Sequence, residues 1–276
     1  MSTFLDLKNQ NFTFKKKYGQ NFISDKNLLN AIVADAGITK DDVVLEIGAG
    51  AGTLTECISQ KAKRVVSFEI DRELGPYLEN KFQNTNVIIK IADIMKAEED
   101  EIMKILGAAH YYIIANLPYY ITTPIIMKFL EMKNPPASIT IMVQKEVAER
   151  IVAEEGNSEY GAISISIALY GKAEIKRIVN RNMFMPVPNV DSAVLKIVYK
   201  KRDLKEVEFN KVKTLIRAAF SSRRKTFINN ISSIGYNKTY IKSVLNELKY
   251  NENVRGEDLT VDDYIRISKV LTDRVN

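Results

Sequence analysis

The residues with the clearest chemical use are Asn116, Leu117, Pro118 and Tyr119, which directly follow a short apolar run. The Asn116 amide carbonyl and a neighbouring backbone carbonyl can accept both N–H bonds of an exocyclic amine on a nucleobase. This turns the nitrogen lone pair toward an electrophile. Pro118 fixes φ in the turn, and Tyr119 offers an aromatic face for a base taken out of its stack. By itself the tetrapeptide leaves two interpretations open, namely methylation of an adenine amino group and an ordinary turn after a strand.

Three glycines, Gly48, Gly50 and Gly52, follow the first strand of a predicted sheet and precede a predicted helix. Glycine lets the backbone come close to a ligand, and a helix N-terminus offers unpaired N–H groups to an anion. A dinucleotide site has the spacing G-x-G-x-x-G. This loop has G-x-G-x-G, preceded by Glu46, which is typical of S-adenosylmethionine sites. Taken alone, the loop can also be a turn that only permits close packing.

Two carboxylates follow the next two predicted strands. Glu69 is placed to accept both ribose hydroxyls of such a cofactor, with Asp71 as the weaker candidate. Asp93 is placed to accept the adenine amino group of the cofactor. Ligands bind open parallel sheets at the carboxyl ends of the strands, where these residues fall. One acid at such a position is more often a helix cap, but the two acids together with the glycine loop favour a cofactor site.

Residues 41–143 alternate strand-like and helix-like segments, which predicts an α/β fold with a parallel sheet covered by helices on both faces. A helix capped by Ser24 or Asp25 and ended by Gly37 precedes the sheet, and a helix over residues 145–156 follows it. The predicted strands are residues 42–48, 64–70, 86–93, 111–118 and 138–144, and the predicted helices include residues 53–62, 72–82 and 123–132.

The remainder of the chain changes character after residue 200. Residues 161–171 alternate apolar and polar side chains like a strand. Residues 177–200 have two strand-like ends around a Pro-containing turn, which predicts an antiparallel hairpin at the sheet edge. The charged segment 200–210 is the predicted boundary between a domain of residues 1–200 and a small all-helical domain of residues 201–276.

Composition excludes several classes of protein. A hydrophobic content of 46% and a charged content of 27% are those of a globular protein. Cys57 and His110 are each the only residue of their type, so we expect no disulfide framework, no metal site and no Ser-His catalysis. The N-terminus is too polar for a signal peptide, and no apolar run of about 18 residues occurs. We therefore expect a cytoplasmic protein without membrane association, and a monomer.

The net charge of +6 conceals an uneven distribution. Residues 172–225 contain 15 Lys and Arg against 5 Asp and Glu, a surplus of 10 that leaves the rest of the chain at −4. One basic region beside a mildly acidic remainder is typical of nucleic-acid binding, although a solvated charged surface is the alternative. The candidate phosphate contacts are Lys15, Lys16, Lys17, Arg223, Arg224 and Lys225.

Seven segments together resemble the ribosomal RNA adenine dimethyltransferases that modify the small subunit. They are residues 15–23, 46–55, 68–71, 92–93, 116–126, 183–194 and 220–226, and the resemblance extends over almost the whole chain. It implies a Rossmann-like class I methyltransferase sheet, S-adenosylmethionine as cofactor and a helix at residues 161–171. It also implies transfer of two methyl groups to N6 of each of two adjacent adenines near the 3′ end of 16S rRNA, within a partly assembled small subunit (a pre-30S particle).

The resemblance assigns roles to individual residues as well. The family's target-base elements correspond to the tetrapeptide, with Phe184 on the opposite side of the extruded adenine from Tyr119. Phe184 read without its neighbouring motifs would be a core aromatic. The family's cofactor site corresponds to Asn21, Ile23, Gly48, Glu69, Asp93 and Asn116, to which the loop pattern adds Gly50.

Two rival functions remain open. Methyltransferases of the macrolide-resistance type use the same chemistry on 23S rRNA, but residues 189–194, the glycine loop and the long helical C-terminal part favour the small-subunit enzyme. A non-catalytic assembly or nucleic-acid-binding factor is the second rival, and the intact Asn116, Glu69 and Asp93 argue against it. DNA adenine methyltransferases typically have Asp-Pro-Pro-Tyr, so the neutral Asn116 favours an RNA substrate.

Overall fold

The computed structural model describes residues 22–271 and divides into two compact units. The first unit extends to Ala148 and also contains Ala173–Tyr199, whereas the second contains Glu149–Lys172 and the chain from Lys200 onward. The strands of the first unit are β1 Phe22–Ile23, β2 Val43–Ile47, β3 Arg64–Glu69, β4 Val87–Ile91, β5 Tyr112–Asn116, β6 Ser138–Gln144, β7 Gly171–Val179, β8 Phe184–Met185 and β9 Ser192–Tyr199. Its helices are α1 Lys26–Ala36, α2 Thr53–Ser59, α3 Gly75–Lys81, α4 Glu99–Leu106 and α5 Thr122–Leu130.

A seven-stranded sheet with the order β4-β3-β2-β5-β6-β9-β7 forms the centre of the first unit, with helices on both faces. Strands β2 to β6 pair in parallel, as predicted, and β9 pairs antiparallel with β6. The two strands predicted as an edge hairpin, β7 and β9, are neighbours, with β7 outermost. A separate two-stranded sheet joins β1 and β8 in antiparallel orientation.

Apolar runs account for the central strands of the sheet, because strands covered on both faces bury side chains on both sides. All five residues of β2 are buried, including the carboxylate of Glu46. Helix α1 begins at the Asp25 cap, whose Oδ1 accepts from the backbone N–H groups of Asn27 and Leu28 at 2.8 and 3.1 Å. It ends at Gly37 with φ of 70°, so the structure selects Asp25 of the two predicted caps.

The second unit is helical within the described residues, and the division from the first unit falls inside α6 and β7. Phe227 and Tyr264 form its aromatic centre, with ring centroids 5.9 Å apart in an edge-to-face arrangement. Its helices are α6 Lys145–Val152, α7 Ala162–Tyr170, α8 Glu206–Ala219, α9 Phe227–Ser232, α10 Lys238–Glu247 and α11 Val261–Val270.

The predicted domain boundaries differ from this division in residues Glu149–Lys172, which belong to the second unit. Hydrogen bonds explain the placement: the Tyr160 hydroxyl donates to the Leu259 carbonyl at 3.0 Å, and the Arg202 guanidinium donates to the Ala168 carbonyl at 3.0 Å. Contacts between residues so far apart in the chain leave no signal in local composition.

Helix α7 replaces the strand that its alternating pattern suggests, in agreement with the resemblance. The alternation misleads because Ser164, one of its polar positions, is buried with its hydrogen bonds satisfied. Its hydroxyl donates to the Arg150 carbonyl at 2.6 Å and accepts from the Gly161 N–H at 3.1 Å. Of the helices that the structure describes, none has the length and apolar character needed to cross a membrane.

Candidate active site

The glycine loop between β2 and α2 closely approaches two other segments of the first unit. Gly48 has φ of 81°, and a side-chain Cβ placed there would lie 3.7 Å from the Asn116 carbonyl oxygen. Gly50 has φ of 54°, and a Cβ there would lie 2.7 Å from the ring of Phe22. Glycine is therefore required at Gly50 both for its backbone conformation and for space.

Glu69, the last residue of β3, is bound to this loop. It is 5% exposed, and its Oε2 accepts from the Gly50 N–H at 2.8 Å while Oε1 accepts from the Asp71 N–H at 2.8 Å. Burial raises the pKa of the Glu69 carboxyl, and these two N–H groups oppose that rise. A carboxylate has about four lone-pair sites, so the two oxygens retain capacity to accept ribose hydroxyls.

The other two candidate acids, Asp71 and Asp93, each accept a hydrogen bond from a backbone N–H group of their own segment. Asp71 caps a short 3₁₀ helix, Arg72–Leu74, by accepting from the Glu73 N–H at 3.2 Å, which suits its weaker candidacy for the ribose. Asp93 follows β4, and its Oδ1 accepts from the Met95 N–H at 3.0 Å. Asp93 also lines the pocket described below.

The tetrapeptide begins with Asn116, the last residue of β5. Leu117 is buried, and Pro118 has φ of −57° and ψ of 133° before a 3₁₀ turn, Tyr119–Ile121. The Pro118 carbonyl accepts from the Ile121 N–H at 3.2 Å, which closes that turn. The Tyr119 hydroxyl lies 2.8 Å from the hydroxyl of Ser192, and burial raises the pKa of the Tyr119 phenol.

One pocket in the first unit brings eight predicted residues together. Its empty space, including the open mouth, is about 830 Å³, within the usual range for small-molecule sites. The predicted residues that line it are Gly48, Gly50, Glu69, Asp93, Asn116, Leu117, Pro118 and Tyr119. The other lining residues were not predicted as site residues, and they are Ile47, Phe68, Ile70, Ala92, Ile94, Tyr120, Ile121 and Ile125.

Most of these unidentified residues are apolar neighbours of the predicted polar ones at the strand ends. Ile47 and Phe68 immediately precede the predicted Gly48 and Glu69 in the sequence. Their position next to predicted site residues could have identified them as lining residues. Tyr120, which is 66% exposed, could not be distinguished from Tyr119 in role by sequence alone.

Two further contacts of the pocket region join residues far apart in the chain. Lys81 on α3 donates to the carbonyls of Ala51 and Gly52 at 3.2 and 3.3 Å, and so supports the glycine loop from the outside. Glu46 is fully buried beneath the loop and accepts from the hydroxyls of Thr55 and Ser67 at 2.6 and 2.5 Å. Burial raises the pKa of Glu46 to about 7.

Ile23 and Phe184 lie beside each other, away from the pocket lining. They pair across the sheet of β1 and β8, and both belong to the hydrophobic core. Phe184 is only 3% exposed, so neither face of its ring is available to a base in this structure. The Ile23 side chain is also buried, but its carbonyl accepts from the Thr53 hydroxyl at 3.2 Å at the start of α2. Asn21 lies outside the described residues.

The predicted RNA contacts separate into two groups. Arg223 donates to the carbonyls of Ser158 and Tyr160 at 3.2 and 3.0 Å, so its guanidinium already stabilises the second unit. Arg224 and Lys225 are exposed. Lys15, Lys16 and Lys17 lie outside the described residues. Between residues 22 and 271, no group of three or more His, Cys, Asp or Glu residues is arranged to hold a metal ion.

Comparison with solved structures supports the fold. A dimethyladenosine transferase from Plasmodium falciparum superposes with a TM-score of 0.76 and 26% identity, covering 89% of this chain and 95% of that one. The 23S rRNA methyltransferase ErmE superposes with a TM-score of 0.73 and 22% identity, covering 91% of this chain and 99% of that one. At 22% identity, the similarity to ErmE supports the fold alone.

Sequence comparison is more specific. The chain is 40% identical over 273 residues to the ribosomal RNA small subunit methyltransferase A of Clostridioides difficile (strain 630), covering 96% of this chain and 93% of the relative. It is 42% identical over 271 residues to the protein of the same name from Alkaliphilus metalliredigens (strain QYMF), covering 95% and 93%. The sequence profile of ribosomal RNA adenine dimethylases matches residues 11–273. The chain therefore belongs to the ribosomal RNA adenine dimethylase family.

Proposed function

We propose that this enzyme binds S-adenosylmethionine and transfers methyl groups to N6 of two adjacent adenines near the 3′ end of 16S rRNA. One observation carries the proposal: the Asn116–Tyr119 tetrapeptide shares a pocket with the glycine loop and both candidate cofactor acids. The residues proposed to bind the target base and those proposed to bind the cofactor therefore line the same pocket. The high identity to proteins named for the small subunit supports the choice of RNA.

The pocket residues fit that cofactor. Gly50 has no Cβ to obstruct the loop, and Glu69 is held against it by the 2.8 Å bond from the Gly50 N–H. Glu69 would accept the ribose hydroxyls and Asp93 the adenine amino group, while the start of α2 would face the methionyl carboxylate. When bound, S-adenosylmethionine supplies a methyl group on a positively charged sulfur.

The tetrapeptide supplies the acceptors for the target amine. The two N–H bonds of that amine would be accepted by the Asn116 side-chain oxygen and by a neighbouring backbone carbonyl, for which Leu117 is the candidate. The nitrogen lone pair then leaves conjugation with the ring and points out of its plane. Since the acceptors are fixed before the base arrives, they stabilise the transition state without reorganisation.

An enzyme that acts on rRNA also needs positive charge that can contact phosphate groups. The basic residues Arg224 and Lys225 are exposed and available to phosphates. We propose that the enzyme acts as a monomer in the cytoplasm, on 16S rRNA within a pre-30S particle.

Transfer of a labelled methyl group from S-adenosylmethionine tests this proposal. Small subunits that lack the methyl groups should be labelled, and large subunits prepared in parallel should not. Labelling of large subunits alone would instead establish the macrolide-resistance type of activity. Absence of transfer to either particle would contradict the proposal.

The same assay tests the tetrapeptide. Asn116→Ala should lower the single-turnover rate by about a hundredfold or more, the scale for losing one preorganised polar group, and keep most RNA binding. Because Asn116 also lines the cofactor pocket, some cofactor affinity should be lost. Asn80→Ala, an exposed position on α3, is the matched control and should behave as wild type. An Asn116→Ala rate near wild type at saturating cofactor would refute the catalytic role.

A further inference from the structure

The hydrogen bond between Tyr119 and Ser192 joins the tetrapeptide to a strand 73 residues further along the chain. Ser192 is the first residue of β9, and its register partner is Gln144, the last residue of β6. Because β9 runs antiparallel to β6, its first residue lies at the sheet edge where the parallel strands end. The sheet topology thus places the Ser192 hydroxyl beside the pocket that Tyr119 lines.

The two partners have unequal freedom. Ser192 has no exposed surface and lies in a ladder of paired residues, so its hydroxyl position is determined by the sheet. Tyr119 is only half-buried and begins a one-turn 3₁₀ segment. Its hydroxyl is at the far end of the ring, and a bond of 2.8 Å there restrains where that end of the ring lies. The strand therefore positions the ring, and not the reverse.

We propose that Ser192 is a positioning residue for methyl transfer, which holds the ring of Tyr119 in the place needed to receive the target adenine beside Asn116. This inference rests on the proposed roles of Tyr119 and Asn116. The ring of Phe184 is buried in the core. Of the two aromatic residues predicted to contact the base, Tyr119 is therefore the one with a face at the pocket, and its orientation matters most.

Removal of either hydroxyl tests the proposal. Ser192→Ala and Tyr119→Phe should each lower the single-turnover rate about three- to tenfold at saturating cofactor, the range for one lost hydrogen bond. The double variant should be no slower than the slower single variant, because both remove the same bond. Cofactor affinity should remain within about twofold of wild type, because one hydrogen bond at the base side is lost and none at the cofactor.

Ser138→Ala is the matched control. Ser138 is also a buried serine, on the neighbouring strand β6 but at its first residue, and its hydroxyl has no hydrogen-bond partner among the described residues. Its loss should change neither rate nor melting temperature. If Ser192→Ala does not fold, Tyr119→Phe decides the matter, because it removes the same bond from the half-buried side.

The outcomes separate this inference from the proposed function. Wild-type rates for both single variants, or rate losses that multiply in the double variant, would overturn the positioning role. Rate losses that merely follow a loss of folded protein would overturn it as well. If Tyr119→Ala and Asn116→Ala are also as active as wild type, the catalytic assignment itself fails. If those two variants are inactive and the hydroxyl variants are unaffected, only the inference about Ser192 fails.

Discussion

Replacement of Glu46 by Gln should remove a pH dependence of stability that one buried carboxyl imposes on the first unit. Its Oε2 accepts from the hydroxyls of Thr55 and Ser67, and its Oε1 has no partner among the described residues. Burial raises the pKa of this carboxyl from its ordinary value of 4.5 to about 7, although the two hydroxyls oppose the rise. The group therefore takes up a proton more readily in the folded chain than in the unfolded chain.

The difference between the folded-state and unfolded-state pKa of Glu46 determines whether stability rises or falls with pH. A carboxyl with a raised folded-state pKa contributes stability that is fully present below pH 4.5 and is lost as the pH rises through about 7. With about 1.4 kcal/mol per pKa unit, the free energy of unfolding should fall by about 2–3 kcal/mol between pH 5 and pH 8 because of this group alone. Glutamine does not titrate and still presents an oxygen to the hydroxyls of Thr55 and Ser67. The free energy of unfolding of the variant should therefore not show this fall between pH 5 and pH 8.

Urea unfolding of wild type and Glu46→Gln at four pH values between 5 and 8 measures the difference. Glu56→Gln is the matched control, because the bond from Lys26 lowers the pKa of Glu56 and confines its effect to pH values below 4.5. Contributions from groups that do not interact with Glu46 are common to the proteins compared and cancel, whereas Glu69 and Cys57 interact electrostatically with Glu46 and belong to the measured difference. Parallel pH profiles for wild type and Glu46→Gln would refute the reasoning.

Four further outcomes are expected. Glu69→Ala should weaken S-adenosylmethionine binding about tenfold to a hundredfold, since it removes a charged acceptor, and an unchanged dissociation constant in calorimetry would reject the ribose role. Changing Arg224 and Lys225 to Ala should reduce the salt dependence of particle binding by about two slope units. Arg223→Ala should instead lower the melting temperature, because it removes bonds to two carbonyls. Phe184→Ala should destabilise the fold by about 3–5 kcal/mol, and Phe184→Leu should recover most of it. Lost transfer in the Leu variant at a near-normal melting temperature would establish contact of this ring with the base.

Half of the residues that line the pocket could be predicted because they follow strands in one local pattern. Each of β2, β3, β4 and β5 is an apolar run, and a glycine, an acid or an amide stands at or just after its end. Parallel strands bring those ends to one edge of the sheet. Residues that recur at the ends of successive strands in the sequence therefore lie close together in the fold. The eight predicted residues in the pocket are the result.

Other features depend on packing between distant segments and could not be predicted. The bonds from Lys81 to the glycine loop require α3 to lie across the start of α2, a placement that no local pattern specifies. The burial of Phe184 is an intermediate case. Read without its neighbouring motifs the residue would be a core aromatic, but its partner strand β1 could not be predicted. The bonds from Arg223 to two carbonyls could not be predicted either, because those acceptors lie more than 60 residues earlier.

The antiparallel strand β9 supports a residue of the pocket in a way that a purely parallel sheet could not. A parallel strand contributes its final residue and the loop that follows, as β5 does with Asn116 and the tetrapeptide. An antiparallel neighbour contributes its first residue at the same edge, and that residue is already held by the ladder, as Ser192 is opposite Gln144. Residues at the strand ends are therefore the ones proposed to contact the cofactor and the base, while a residue within the sheet can position one of them. This division explains why Tyr119, on a short turn, is bonded to a fully buried hydroxyl.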